Sequence, residues 1–131
     1  MDSRAHFLIV GDATDLPMLR GILSRLPADA YGQVFVEVAT AVQIQDWEAP
    51  ADVSVTWLVR ERLRHPLPPR GDLATEAVIA WIAEWMPEEQ GLHAVPYVLW
   101  IGCSMNPQMD RLYRELDERL DGVHLHHPHH D

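Results

Sequence analysis

Lysine is absent from the chain. All ten basic side chains are arginine, set against twenty aspartates and glutamates, for a formal charge of −10 over 131 residues. That shortage of positive charge excludes an electrostatic grip on nucleic acid or on an anionic membrane. The lysine deficit itself is a coding bias from which no function follows. Cysteine occurs once, at Cys103, which excludes an internal disulfide framework and fits a reducing compartment. No charged segment leads into a short apolar one at the N-terminus, so no signal peptide is expected, and no apolar run approaches bilayer-spanning length. A cytoplasmic protein is the expectation. Ser-His-Asp, Cys-His and metalloprotease spacings are also missing, so no catalytic residue is assigned and a hydrolase has no residues behind it.

The chain has the length of one domain with a single substantial core. Short apolar runs alternate with helical periodicity, the pattern of βαβ units and a parallel sheet. A strand over His6–Val10 runs into a helix predicted over Thr14–Leu26, with Leu16, Leu19, Leu23 and Leu26 on one stripe and Pro27 ending it. Gln33–Ala39 and Val53–Arg60 read as the second and third strands. Three prolines within Leu63–Gly71 forbid a helix there, and Asp72 is placed to cap the next one, which carries Val78, Trp81, Ile82 and Trp85. Tyr97–Ile101 reads as the fourth strand. Asn106-Pro107 opens a last helix that Gly122 stops, and Val123–Leu125 is a candidate fifth strand.

Gly11-Asp12-Ala13-Thr14 joins the first strand to the first helix. A buried strand that ends in glycine and reopens as a helix presents free backbone N–H groups, as α/β proteins do when they hold phosphates. No second or third glycine follows, so the strict GxGxxG fingerprint is absent. Two readings fit these residues. In one, Gly11 lies against a dinucleotide and Thr14 donates to it; in the other, Gly11 is a tight turn and Asp12 or Thr14 a plain cap. Asp12 suits a cap in either case, because a carboxylate beside pyrophosphate is repulsive.

The stretch Phe7–Pro27, FLIVGDATDLPMLRGILSRLP, resembles the opening of the C-terminal domain of siderophore-interacting proteins, the flavin-dependent ferric-siderophore reductases. The resemblance continues through Val34–Val38, Val53–Arg60 and Tyr97–Gly102, so it runs from about Phe7 to Leu120. These reductases belong to the ferredoxin-NADP reductase superfamily, and the domain is their NAD(P)H-binding half. The resemblance implies a three-layer, Rossmann-like α/β fold, with about five parallel strands in the order 3-2-1-4-5. It also implies a cofactor site at Gly11, Thr14, Gly102, Cys103 and Ser104, at the C-terminal ends of the first and fourth strands. Family members pass a hydride from NAD(P)H to FAD and then electrons to iron, with FAD on an N-terminal barrel carrying an Arg-x-Tyr-Ser/Thr motif. No such barrel or motif occurs in this sequence. The expectation is a chain that binds no FAD alone, does not turn over alone, and needs a flavin-bearing partner.

Two departures from the family pattern stand out. Where the family reads Ala-Gly-Glu, this chain reads Ile101-Gly102-Cys103, and the aromatic segment that usually ends the family and meets the flavin is absent. Cys103 fits either a reactive thiol or a small buried hydrophobe. Both departures support the competing hypothesis, a non-enzymatic interaction module on a degenerate α/β scaffold.

Arg60, Arg62, Arg64 and Arg70 form an arginine island beside His65. It starts at the C-terminal end of the third strand, where guanidinium groups suit the 2′-phosphate of NADPH, with Arg60 the best candidate. Solvated loop arginines paired with surface carboxylates are the alternative. Glu37, near the end of the second strand, either prefers the 2′-hydroxyl of NADH or points to the opposite sheet face from Val36 and Val38. The choice between NADPH and NADH stays open. The histidines from His124 to His130 read as a tail, residues 123–131, disordered beyond any fifth strand and with incidental metal affinity; no metal site is assigned. Residues 1–122 form the domain proper, and homo-oligomers are compatible with the sequence.

Overall fold

Four of the strands form where the sequence is short-run apolar, rich in β-branched residues and bounded by turn formers. The computed structural model describes residues 6–63, 71–85, 97–102, 107–119 and 124–126. The elements in order are β1 (His6–Asp12), α1 (Leu16–Arg25), β2 (Tyr31–Val38), β3 (Asp52–Val59), α2 (Arg60–Leu63), α3 (Asp72–Trp85), β4 (Tyr97–Ile101), α4 (Pro107–Arg119) and β5 (His124–His126). All neighbouring strands pair in parallel, in the order β3-β2-β1-β4-β5. This is the Rossmann-like arrangement that the resemblance implies.

Strand alternation sorts the core into two layers. Leu8, Val10, Leu99 and Ile101 face α3 and α4, where they meet Ala74, Val78, Trp81 and Met109. Ile9, Val34, Val36 and Val38 face the other way, onto Leu19 and Leu23 of α1. Helices therefore cover both faces, as a parallel sheet requires. Among the described residues, no helix is long and apolar enough to cross a membrane.

Several element boundaries differ from expectation. The first helix is two pieces, a 3₁₀ turn over Ala13–Asp15 capped by Asp12 and then α1, with Pro17 in its first turn. The second strand starts at Tyr31, two residues earlier than predicted, because Gly32 sits inside the ladder opposite Phe7. Asp72 is the first residue inside α3 and the fifth strand is His124–His126, one residue later than predicted. Residues 127–131, read as the disordered end of the tail, lie outside the described residues.

At the N-terminal end of the sheet, buried His6 stacks on Tyr31, with ring centroids 4.4 Å apart. Gln33 Oε1 lies 2.8 Å from His6 Nε2 and also accepts from Trp81 Nε1 at 2.6 Å. That oxygen is an acceptor, so Nε2 carries the proton of a neutral ring. Burial pushes the His6 pKa down, more than the Gln33 hydrogen bond raises it. The unfolded chain therefore takes up this proton first. The contribution of His6 to stability should be complete above ~6.5 and fade as pH falls from there toward the lower folded-state value. In urea unfolding, the stability gap between wild type and His6→Asn should narrow from pH 7.5 to pH 5. A gap that stays constant would show that the buried ring is not the titrating group.

Candidate functional site

The strand order reverses between β1 and β4, and the C-terminal ends of such a strand pair are where open α/β sheets hold ligands. Gly11 and Gly102 lie side by side there. Val10 pairs with Ile101 in register, and Gly102 N–H donates to the Val10 carbonyl at 2.8 Å. The loop after β1 is held by two reciprocal carboxylates. Asp12 Oδ1 accepts from the Thr14 N–H at 2.9 Å and from the Thr14 hydroxyl at 2.6 Å. Asp15 Oδ2 accepts from the Asp12 N–H at 3.0 Å, which completes a capping box. Thr14 is exposed, yet its hydroxyl proton is already given to Asp12.

Both glycines face Asp15. A Cβ built on Gly102 would lie 2.5 Å from Asp15 Oδ2, and one on Gly11 would lie 2.9 Å from Asp15 Cβ and 3.0 Å from Oδ2. The volume at Gly102 is thus taken by the chain's own carboxylate, which is itself buried, and that at Gly11 is shared by Asp15 with Leu19, whose Cδ1 would also lie 2.9 Å from the added Cβ. Trp100 completes the wall, since the same Cβ on Gly102 would sit 3.0 Å from its ring.

A second cluster lies at the ends of β2 and β3. Glu37 is fully buried on the α3 side of the sheet. Its Oε2 accepts from Gly71 N–H at 2.7 Å and from Arg60 Nη1 at 3.2 Å, and its Oε1 accepts from Ala74 N–H at 2.8 Å. One carboxylate therefore caps the N-terminus of α3 and pairs with Arg60, whose side chain keeps 14% exposure. A groove of about 650 Å³, lined in part by Arg20, Leu23, Trp47 and Pro50, shares no lining residue with the β1/β4 strand ends or with this cluster. Among the described residues, no group of three or more His, Cys, Asp or Glu is arranged to hold a metal ion.

A family profile described as siderophore-interacting protein matches residues 4–120. The chain belongs to the siderophore-interacting protein family. Ferric vibriobactin reductase ViuB of Vibrio cholerae is 27% identical over 88 residues, covering 67% of this chain and 29% of that protein. Among solved structures, a siderophore utilization protein from T. fusca is 25% identical with a TM-score of 0.67, over 97% of this chain and 44% of that one. SipS of Aeromonas hydrophila, at 21% identity and a TM-score of 0.54, covers 98% of this chain and 53% of its own. The siderophore-interacting protein of Acinetobacter baumannii, at 17% and 0.64, covers 97% and 46%. These last two speak for the fold alone. The chain spans under a third of the curated relative and about half of each solved one.

Of the residues expected at a siderophore-interacting protein's nucleotide site, the fold sets Gly11 beside Gly102, with Thr14 on the loop that follows Gly11. Arg60 stands two strands away, at the end of β3, paired with Glu37. Cys103, Ser104, Arg64, His65 and Arg70 lie outside the described residues. Glu37 takes the second of its two sequence readings, facing away from Val36 and Val38, and its oxygens are occupied by the α3 N-terminus. Two functional features were not legible in sequence. The N–H groups that donate to Glu37 come from residues 34 and 37 positions away, and only its charge in an apolar strand hinted at a fixed partner. Asp15 read as one polar residue of a helix's first turn.

Proposed function

We propose that this chain is the NAD(P)H-binding-like domain of a ferric-siderophore reductase, and that a flavin-bearing partner supplies the redox centre. The observation that carries the reading is the placement of Gly11 and Gly102 at adjacent strand ends where sheet order reverses. Family membership and the likeness to a ferric vibriobactin reductase support it. In this reading Gly11, Thr14, Gly102, Cys103 and Ser104 line the dinucleotide crevice, and Arg60 faces a 2′-phosphate. The crevice does not fit a pyrophosphate laid against the two glycines, because the Asp15 carboxylate holds that volume. No hydride step is therefore derived through the nucleotide, and wild-type affinity is expected to be low.

Titration of NADPH and NADH against tryptophan fluorescence tests the reading, with Trp100 beside Gly102 as the nearest reporter. A weak saturable change is expected, and its absence with both nucleotides up to millimolar concentration, in the wild type and in Asp15→Ala alike, removes the cofactor. Arg60→Ala should weaken NADPH more than NADH, by roughly tenfold, the lower end of a charge-assisted contact, because Glu37 already neutralises part of the guanidinium. Equal loss for both nucleotides would show that Arg60 does not read the 2′-phosphate.

Asp15 in the crevice also favours a second reading, an interaction module that kept the α/β core without the nucleotide site. That reading expects no nucleotide binding by the wild type or by any Asp15 variant.

A further inference from the structure

We infer that Asp15 closes the β1/β4 crevice to dinucleotide phosphates, by holding both the volume and the charge that a bound pyrophosphate would occupy. The inference rests on the nucleotide-binding reading above and names the residue that sets its affinity.

Glycines at a strand end commonly make room for a ligand or for another stretch of backbone. Here they make room for a side chain of the same loop. A Cβ on Gly102 would collide with the Asp15 carboxylate, and one on Gly11 would lie 3.0 Å from its Oδ2 and 2.9 Å from both Asp15 Cβ and Leu19 Cδ1. The charge matters equally. The N-terminus of a helix favours an anion through its unpaired N–H groups and its dipole. Asp15 immediately precedes the ten-residue α1 and, although its side chain makes no capping hydrogen bond to that helix, it places the chain's own carboxylate at the end where a phosphate would come. The side chain is also fixed: it is 5% exposed and accepts the Asp12 N–H, while Asp12 is tied to Thr14. Swinging it out of the crevice means opening the capping box. NADH and NADPH share the pyrophosphate, so Asp15 should suppress both alike, unlike Arg60, whose effect belongs to NADPH.

The test measures dissociation constants of NADH and NADPH for the full chain and for its Asp15→Ala and Asp15→Asn variants. Asp15→Ala should tighten both nucleotides by a similar factor, about tenfold or more, because a like-charge contact is removed along with the bulk. Asp15→Asn keeps the bulk and an acceptor for Asp12 N–H, and should tighten both by a smaller factor. It also carries the test should the alanine variant fail to fold. Gly102→Ala should destabilise the wild type more than it destabilises Asp15→Ala, since the carboxylate is its closest neighbour. If the wild type binds saturably and the folded Asp15 variants bind no tighter, the role of Asp15 is overturned while the nucleotide reading stands. If no form binds either nucleotide, the nucleotide reading fails and the inference falls with it.

Discussion

Glu37→Ala should lower stability by about 3–5 kcal/mol, the range for removing one partner of a buried ion pair. Three donors lose their acceptor at once: the Arg60 guanidinium and the N–H groups of Gly71 and Ala74. The N–H groups belong to the start of α3, which supplies Ala74, Val78 and Trp81 to one core layer, so the damage reaches beyond the cluster. A protein of this size has about 5–15 kcal/mol in all, and such a loss brings the variant close to unfolding. Glu37→Gln retains one carbonyl oxygen but turns an NH₂ group toward donors, and should fall between alanine and wild type. Urea unfolding gives the size of the effect, and amide exchange along α3 shows its place. A loss below about 1 kcal/mol would mean that the pair is dispensable, as exposed salt bridges are.

Two glycine-to-alanine changes should have opposite signs. Gly32 has φ of +157° within β2, and a Cβ there would run into the Phe7 carbonyl oxygen and lie 2.8 Å from Phe7 N and 2.9 Å from Phe7 C. These are backbone atoms of the neighbouring strand and cannot rotate aside. Gly32→Ala must part β1 from β2 at the centre of the sheet, which overpacking and backbone strain together put at about 3 kcal/mol or more. Gly21 lies within α1, and among the described residues its added Cβ would meet the flexible end of Arg25, at 3.3 Å. Gly21→Ala should therefore stabilise by about 0.5–1 kcal/mol, the helix-propensity gain. Thermal unfolding of the two variants checks both signs, and a Gly32→Ala protein as stable as wild type would contradict the close strand approach.

What could be read from the sequence was whatever depended on neighbours along the chain. Tyr97–Ile101 forms a strand with the predicted bounds because a short apolar run carries its own signal. Likewise α4 begins at Pro107, where a proline in the first turn loses no hydrogen bond. Gly32 reads locally as a breaker, and only the Phe7 backbone beside it explains a glycine inside the strand. The same limit applies to the site. Gly11 and Thr14 are marked by the loop that they share, whereas the burial of Asp15 between Gly11 and Gly102 depends on the meeting of β1 and β4. The fate of Glu37 depends on where α3 begins, more than thirty residues later.

Amide chemical-shift mapping with NADPH on the ¹⁵N-labelled chain would locate a bound dinucleotide, whose expected place is the β1/β4 strand ends. Shifts should saturate together and concentrate at Gly11, Thr14 and Gly102, with a smaller set at Arg60 that NADH does not reproduce. Shifts concentrated instead along the groove of Arg20, Leu23 and Trp47, or none at millimolar nucleotide in either the wild type or Asp15→Ala, would exclude that site.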